Sequence, residues 1–492
     1  MQTTHQEPLG HTGPRCTWRI GDDRRLPALE PFADDVRRRD AVVLRETLWD
    51  TDDRVLAAEG VELLRSDTGW WIDRGAGPVP LTGDLDRGAP PADGATSAGT
   101  DDVPRDAVEV FLRGRALRTV RVRDTTTVLV ELRGRDGRLR AEVADVRVDE
   151  GDPDTALLRS ARWWALSDDG RSGPVARAAE RALADAAEPT ADAAAAARAP
   201  RMPPARRSGT SGRPRRGSAA AALRAVLRSL RADLVAVDPR VRADEREAVH
   251  DLRKVLRRLR SVLAAYRGAL DRGATEILRA ELAEVARVAG VARDAEVLRD
   301  RLLRSASRAP EGYVDALTLD RIGSHADATR SAAARELRRT LRSATWFRAL
   351  DHLDDLVERT PRGPHADDDA AAFAVRRIRK ERARVAKRLT GGAEGLEDLH
   401  EVRKAARRLR YALQAAGSAP DLGKRHLGRL QRVQESLGEV LDADHAVVAY
   451  RQLAVRAAER GEDTFGYGAL ATTEHAVVER GWVRARKVLA KL

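Results

Sequence analysis

Two segments that lie 150 residues apart repeat the same order of basic and apolar residues. The first is His250-Asp-Leu-Arg-Lys-Val-Leu-Arg-Arg-Leu-Arg-Ser-Val-Leu263, and the second is His400-Glu-Val-Arg-Lys-Ala-Ala-Arg-Arg-Leu-Arg-Tyr-Ala-Leu413. A weaker match at an offset of 148 pairs Gly290, Asp294 and Glu296 with Gly438, Asp442 and Asp444. The matching order and nearly equal offsets predict two helical subdomains of related sequence.

On an α-helix, each copy of this repeat separates into a cationic face and an apolar face. At 100° per residue, the leading histidine and three basic residues point within about 60° of one direction, and the apolar residues point the opposite way. No acidic residue interleaves within either stripe to relieve the repulsion between like charges. The first stripe is His250, Arg253, Lys254 and Arg257, flanked by Arg258 and Arg260; the second is His400, Arg403, Lys404 and Arg407, flanked by Arg408 and Arg410.

Two such helices that meet across a pseudo-symmetric bundle would bring both stripes to one groove. Arginine binds phosphate oxygens through two parallel hydrogen bonds, lysine adds a point charge, and histidine titrates near neutral pH. The predicted ligand is therefore a linear polyanion. The alternative is an ordinary solvated basic surface, which one isolated charge run would favour.

Two further groups of charged residues leave alternatives open. Basic residues between Arg376 and Arg388 either extend the groove or are surface charge. The acidic residues of the weaker match, which include Asp294 and Asp442, either orient the arginines, hold a cation or occupy the first turn of a helix. The sequence favours the position at the start of a helix.

The charge of the chain is divided unevenly between its two parts. At 492 residues, the chain is long enough for more than one hydrophobic core. Residues 1–200 carry 29 basic and 37 acidic side chains, a balance of −8, whereas residues 201–492 carry 60 and 40, a balance of +20. Only the C-terminal part is suited to a polyanionic partner.

The local patterns divide the chain into three parts. Residues 1–187 contain alternating β-branched runs at 119–123, 127–132 and 139–148, a loop at 82–104 and a helix at 174–187, which indicate an α+β domain with antiparallel strands. Residues 188–217 are rich in Ala, Pro, Gly and Arg and are typical of a flexible basic linker. Residues 218–492 have apolar residues at spacings of 3 and 4, which predicts an all-α duplicated helical bundle.

The predicted helices of this bundle cover most of the C-terminal part. They lie at about 218–237, 244–268, 273–304, 325–358 with a break, 367–390, 396–416, 421–441, 443–460 and 468–490.

The single cysteine, Cys16, excludes a disulfide framework and a cysteine-rich zinc site. The first residues do not resemble a secretory signal, and no run of about 18 apolar residues occurs. We therefore expect a cytoplasmic protein with no membrane partner, no metal and no cofactor. The oligomeric state stays open at this stage.

From about residue 218 to 492, the paired His-x-x-Arg-Lys-x-x-Arg-Arg-Leu-Arg motifs resemble the CHAD domain. This family of duplicated four-helix units has grooves lined by His, Arg and Lys that bind inorganic polyphosphate. The resemblance implies polyphosphate as the partner, with association with polyphosphate granules as a further expectation. The residues at the family's contact positions are His250, Arg253, Lys254, Arg257, Arg260, His400, Arg403, Lys404, Arg407 and Arg410.

The N-terminal part resembles a degenerate CYTH domain, the triphosphate tunnel fold. The carriers of this resemblance are residues 48–65 and 139–145. The family opens with Glu-x-Glu-x-Lys, whose carboxylates hold a divalent metal, but here the corresponding stretch is Cys16-Thr-Trp-Arg-Ile-Gly21. Arg121 and Arg123 are the best candidates for a basic tunnel wall, whereas Glu142 and Asp145 are too few carboxylates for metal-assisted hydrolysis.

These observations predict a non-catalytic polyphosphate-binding protein whose tunnel-like domain is a scaffold. One rival is a metal-dependent triphosphatase or adenylate cyclase, which the missing Glu-x-Glu-x-Lys argues against. Another is nucleic-acid binding through the basic linker and helices. Base stacking needs aromatic residues beside the cations, yet aromatics make up 4% of the chain and only Tyr411 adjoins a motif, so we rank this rival lower.

Overall fold

The protein is described from a computed structural model. The backbone is described for residues 15–81, 103–153, 157–168, 173–187, 214–390, 396–416 and 424–489, and the side chains for the same residues except 389–390, 396–400, 424–437 and 485–489. The chain divides into two compact units, Met1–Arg207 and Ser208–Leu492. Most of the predicted loop at 82–104 and linker at 188–217 lies outside the described residues.

The N-terminal unit is built on one antiparallel sheet. Its order is β1-β9-β8-β7-β3-β4-β5-β6, and β2 pairs with β7 beside β3. This sheet is consistent with the tunnel-like CYTH fold that the N-terminal motifs predict. The strands are β1 Cys16–Ile20, β2 Asp35–Arg38, β3 Val42–Asp50, β4 Glu62–Ser66, β5 Gly69–Asp73, β6 Pro78–Pro80, β7 Arg118–Arg133, β8 Leu139–Gly151 and β9 Leu158–Asp168.

The two strands predicted at 119–123 and 127–132 are one strand, β7. Its length follows from its partners, because β8 pairs along one edge while β3 and β2 pair with successive halves of the other. The three threonines at 125–127 have a high β-propensity and continue the strand where the sequence analysis expected a break.

Both faces of the central strands carry apolar residues. On β8, Ala141 and Val143 belong to a core that also contains Ala179 and Leu183 of the helix Pro174–Ala186. Residues of opposite parity, such as Val146, form a second cluster on the other face. This alternation is what a strand that is covered on both faces requires.

Among the described residues of the C-terminal unit, helices joined by short connections make up the fold, as the spacing of apolar residues predicts. The helices are numbered along the whole chain, so that the first three belong to the N-terminal unit and the others to the C-terminal unit. The helices are α1 Val55–Ala58, α2 Glu109–Leu112, α3 Pro174–Ala186, α4 Ala219–Arg242, α5 Ala248–Ala265, α6 Arg272–Ala306, α7 Ala316–Leu341, α8 Ala344–Glu358, α9 Ala370–Thr390, α10 Leu396–Ala415, α11 Lys424–Glu459 and α12 Phe465–Leu489.

The lengths of these helices show the duplication directly. The first copy, α4 to α7, has helices of 24, 18, 35 and 26 residues, and the second copy, α9 to α12, has helices of 21, 20, 36 and 25 residues. Helix α8 stands between the copies. The same order of short and long helices in both halves is what a duplicated four-helix unit requires.

Side chains that cap helix N-termini fix where several of these helices begin. A serine or aspartate oxygen accepts a backbone N–H two or three positions into the helix, which satisfies a donor that has no partner within the helix. These residues are Ser218 before α4, Asp271 before α6, Asp315 before α7, Ser343 before α8 and Asp369 before α9.

Two predicted helix boundaries in the C-terminal unit are wrong. The segments 421–441 and 443–460 form one helix, α11, because nothing between Leu441 and Ala443 stops an α-helix. The region 325–358 is broken as predicted, but its first helix begins earlier, at Ala316 after the Asp315 cap.

Candidate functional site

The two repeated segments lie on α5 and α10, which pack against each other. Two hydrogen bonds join the C-terminal part of α5 to α10. The Tyr266 hydroxyl donates to the carbonyl oxygen of Ala412 at 2.8 Å, and Arg408 Nη2 donates to the carbonyl oxygen of Ala264 at 2.7 Å. The alanines at 405 and 406 replace the larger residues at 255 and 256 of the first copy.

The two copies have the same pattern of burial from residue 251 to 260 and from residue 401 to 410. In both, the apolar positions are buried, the three arginines after the lysine are half-buried, and the lysine is exposed. The separation of each helix into an apolar face and a cationic face is therefore as the sequence predicts.

Five arginines from the two helices come together where α5 meets α10, and we call them the arginine cluster: Arg253, Arg257, Arg403, Arg407 and Arg410. The pKa of Arg257 is lowered to about 10, mainly by burial and in part by the charges of Arg253, Arg403 and Arg410. The pKa of Arg407 is lowered to about 9, mainly by burial and in part by the charges of Arg257 and Arg403. Each copy thus contributes cations that repel those of the other copy.

Most guanidinium groups of the cluster have a buried Nε donor without a hydrogen-bond acceptor. Among the described residues, the Nε atoms of Arg257, Arg403, Arg407 and Arg410 are buried without a hydrogen-bond acceptor. No carboxylate of the residues that the structure describes forms an ion pair with Arg257 or Arg407. A buried donor without an acceptor destabilises the free protein and gains energy when an anion supplies the acceptor.

Two acidic residues of the weaker repeat lie beside the cluster. Asp294 of α6 accepts a hydrogen bond from Arg253 Nη1 at 2.6 Å. The charge of Asp442 on α11 raises the pKa of Arg403, against the larger lowering that burial causes. Both residues lie within long helices, so the predicted position in the first turn of a helix is wrong, and orienting the arginines is the role that their geometry fits.

The other predicted site residues surround the cluster. His250 and Lys254 are exposed on α5. Arg260 lies beside Arg279 of α6, whose charge lowers the pKa of Arg260 after the larger effect of burial. The side chain of His400 lies outside the described residues. Lys404 is exposed and forms an ion pair of 2.8 Å with Glu401, so the expectation that no acidic residue relieves the stripes is wrong for the second copy.

Sequence comparison identifies the family to which this arrangement belongs. The family model of the CHAD domain matches residues 221–451, a range that includes both α5 and α10. Residues 221–451 are a CHAD domain.

Two curated relatives of the chain both come from Mycobacterium tuberculosis. They are Uncharacterized protein MT2285 of strain CDC 1551 / Oshkosh and Uncharacterized protein Rv2226 of strain ATCC 25618 / H37Rv. Each is 34% identical over 267 residues, which are 52% of this chain and 50% of the relative. The chain thus spans about half the length of the curated relatives it matches.

Two solved structures are also similar to the C-terminal part. PptA from Streptomyces chartreusis has a TM-score of 0.45 at 19% identity and covers 55% of this chain and 99% of its own. The CHAD domain from the plant Ricinus communis has a TM-score of 0.46 at 23% identity and covers 56% of this chain and 93% of its own.

Two residues that were noted in the sequence but not predicted to belong to the site also shape it in the CHAD domain. Tyr411 is 4% exposed, and the Arg410 guanidinium lies 5.0 Å from the centre of its ring. Gly438 of α11 faces Arg403, because a Cβ atom there would lie 3.6 Å from Arg403 Nη2. The repeat itself was the available signal, since Gly438 corresponds to Gly290.

The basic residues of α9 are mostly engaged with other groups. Arg384 and Arg408 both pair with Glu381, which is 1% exposed, and Arg388 pairs with Glu401. Arg377 Nε donates to the carbonyl oxygen of Ala265. These contacts fit helix packing within the CHAD domain better than an extension of the groove.

In the N-terminal unit, the predicted basic wall is electrically balanced. Arg121 and Arg123 both contact Glu150, at 3.5 Å and 3.1 Å, and Arg123 also lies 3.8 Å from Glu62. Burial raises the pKa of Glu142, and the nearby charge of Glu131 raises it further. The arginines of this wall are thus matched by carboxylates.

Neither of two other kinds of site is found in the parts of the chain that the structure describes. Over those residues, His, Cys, Asp and Glu side chains form no group of three or more that could hold a metal ion. Over the same residues, no helix combines the length and apolar character that crossing a membrane requires. As for metal binding, the Asp145 carboxylate accepts hydrogen bonds of 2.6 Å and 2.9 Å from Arg162 and is thus already engaged.

Proposed function

We propose that the CHAD domain binds inorganic polyphosphate through the arginine cluster. The observation that carries this proposal is the burial of several mutually repelling guanidinium groups whose Nε donors lack an acceptor. A phosphate chain supplies negative charge and many acceptor oxygens at once. Arg–phosphate hydrogen bonds are among the stronger ones in proteins, so binding would compensate for the repulsion in the free state.

The division of the cluster between two helices favours a long anion over a short one. Arg253 and Arg257 lie on α5, whereas Arg403, Arg407 and Arg410 lie on α10. A chain that contacts both helices makes its second contact at a high effective concentration. Binding of polyphosphate is also what membership in the CHAD family implies.

Nucleic acid is a weaker candidate for the same site. Recognition of single strands depends on exposed aromatic rings on which bases stack. The aromatic residue beside the cluster, Tyr411, is buried and is covered by Arg410. A base has no exposed ring to stack on at this point.

The N-terminal unit enters this proposal as a scaffold or interaction module without triphosphatase activity. The Glu-x-Glu-x-Lys motif is missing, and Arg121 and Arg123 are matched by Glu150 and Glu62. A cytoplasmic location together with polyphosphate granules completes the proposal, and the single cysteine supports it.

The test is a titration of the whole protein with long-chain polyphosphate, tripolyphosphate and duplex DNA at several salt concentrations. The variant Arg257→Gln with Arg407→Gln removes one cation from each helix. Because each charge-assisted hydrogen bond contributes roughly 1.5–3 kcal/mol, we expect this variant to bind long polyphosphate about 100-fold more weakly. The slope of log K against log salt concentration should also fall by about 1.4, since roughly 0.7 counterions are released per phosphate contact.

The matched control is Arg228→Gln with Arg335→Gln. Both residues are exposed, on α4 and α7, and lie outside the arginine cluster. This variant loses the same charge, and we expect its affinity to stay within about threefold of the original protein. Equal losses in both variants would mean that binding depends on overall charge alone, and tighter binding of duplex DNA than of polyphosphate would contradict the proposed ligand.

A further inference from the structure

An open cavity of about 1090 Å³ lies in the C-terminal unit. It is bounded by the C-terminal end of α6, the loop that follows α6, Glu439 of α11 and the N-terminal half of α12. None of the residues that line it belongs to the arginine cluster. Its volume slightly exceeds the range for small-molecule sites, roughly 300–1,000 Å³.

Two exposed aromatic rings stand in contact at this cavity. Tyr313 is 47% exposed and Phe465 is 58% exposed, and their ring centroids lie 5.6 Å apart with a tilt of 47°. The chain has only five tyrosines and five phenylalanines. The other four tyrosines are at most 7% exposed: Tyr266, Tyr411, Tyr450 and Tyr467.

Exposure of these two rings leaves a large apolar area in water, which is unfavourable unless a ligand covers it. A flat aromatic ligand covers such a pair best, because its face can stack on theirs. The wall beside the rings also leaves room for a ligand, since a Cβ atom at Gly468 of α12 would have no neighbour within 4 Å.

The same cavity offers positive charge that is available for a ligand. Arg304 and Arg308 line it and are exposed, and no ion pair with either is found among the residues that the structure describes. The third arginine of the lining, Arg301, is already neutralised by Glu474 at 2.6 Å. Two guanidinium groups therefore face this space with unused donors.

We propose that this cavity binds a nucleoside phosphate, with the base stacked on Tyr313 and Phe465 and the phosphates held by Arg304 and Arg308. A simple anion would make no use of the rings, and an uncharged apolar ligand would make no use of the guanidinium groups. Single-stranded nucleic acid needs a series of rings for successive bases, whereas this cavity has one pair. The combination fits one base with attached phosphate.

The experiment measures binding to the full-length protein by calorimetry with three probes: adenosine triphosphate, tripolyphosphate and adenosine. We expect Phe465→Leu, which keeps an apolar side chain but cannot stack, to weaken binding of adenosine triphosphate about tenfold and to leave tripolyphosphate unchanged. Arg304→Gln with Arg308→Gln should weaken adenosine triphosphate about tenfold or more and leave adenosine within twofold. The exposed pair Arg228→Gln with Arg335→Gln is the charge-matched control.

Three results would overturn this inference. They are the absence of saturable adenosine triphosphate binding at millimolar concentrations, an unchanged affinity in Phe465→Leu, and loss of adenosine triphosphate binding in Arg257→Gln with Arg407→Gln. The last result would place the nucleotide in the arginine cluster. Because that variant also tests polyphosphate binding, loss of one ligand with retention of the other separates the two proposals.

Discussion

Replacing Arg407 by methionine is expected to make the free protein more stable. Burial and neighbouring arginines lower the pKa of Arg407 to about 9, well below that of a guanidinium in water. At about 1.4 kcal/mol for each tenfold change in acidity, the charged form costs the folded state of the order of 5 kcal/mol at neutral pH. Methionine removes this cost but forfeits part of the packing of the longer side chain, so we expect a net stabilisation of about 1–3 kcal/mol.

Thermal unfolding with and without long-chain polyphosphate measures the stability of the free and of the ligand-bound protein. Without ligand, we expect the melting temperature of Arg407→Met to lie a few degrees above that of the original protein. With saturating polyphosphate, the order should reverse, because only the original protein retains the full set of phosphate contacts and gains stability from binding. The two proteins therefore exchange rank when the ligand is added.

The pH dependence of the stability difference gives an independent check. The pKa of Arg407 is lower in the folded state than in the unfolded state, so the cost of its charge is complete below pH 9 and diminishes as the pH rises above 9. The advantage of Arg407→Met should shrink by about 1 kcal/mol between pH 7.5 and pH 10. A variant that is less stable than the original protein without ligand, or no more stable than the exposed control Arg335→Met, would refute the reasoning.

Two further predictions concern the surroundings of the arginine cluster, and a third concerns the N-terminal unit. Asp294→Asn weakens the contact that orients the Arg253 guanidinium, so we expect polyphosphate to bind several-fold more weakly in a salt-controlled titration; tighter binding would mean that Asp294 competes with the ligand for Arg253. Gly438→Glu places a carboxylate beside Arg403 and is expected to weaken polyphosphate binding about tenfold, whereas Gly323→Glu on α7 should leave it unchanged. Incubation with triphosphate and Mg²⁺ or Mn²⁺ should release no phosphate above background, and metal-dependent turnover would contradict the role proposed for the N-terminal unit.

Much of the helical half could be predicted because its information is local and repeated. Spacings of 3 and 4 identify the helices, and the offset of 150 residues identifies the duplication. Helix boundaries were less accurate where no breaker marks them, as in α11. The long strand β7 was divided for the converse reason, since its continuity depends on two partner strands that sequence patterns do not show.

For the candidate site, the sequence indicated which residues share a helix face but not how those faces meet. The proximity of Arg257 to Arg403 depends on packing between helices that are far apart in sequence. Likewise, the pairing of Lys404 with Glu401 depends on side-chain conformation, which helical periodicity does not determine. The contact between Tyr313 and Phe465 could not be predicted from the sequence either, because 152 positions separate the two residues.

The two helices that carry the arginine cluster come from different copies of the repeat, which has a mechanical consequence. The repulsion between Arg257 and Arg407 acts across the junction between the copies and tends to separate α5 from α10. In the free protein, this repulsion opposes the packing of α5 on α10 and makes the junction open more easily. Backbone amides along the junction should therefore exchange with deuterium sooner than those in the middle of α6. A phosphate chain that binds both helices would then hold the two copies together. The force needed to separate the copies would therefore rise with the concentration of polyphosphate.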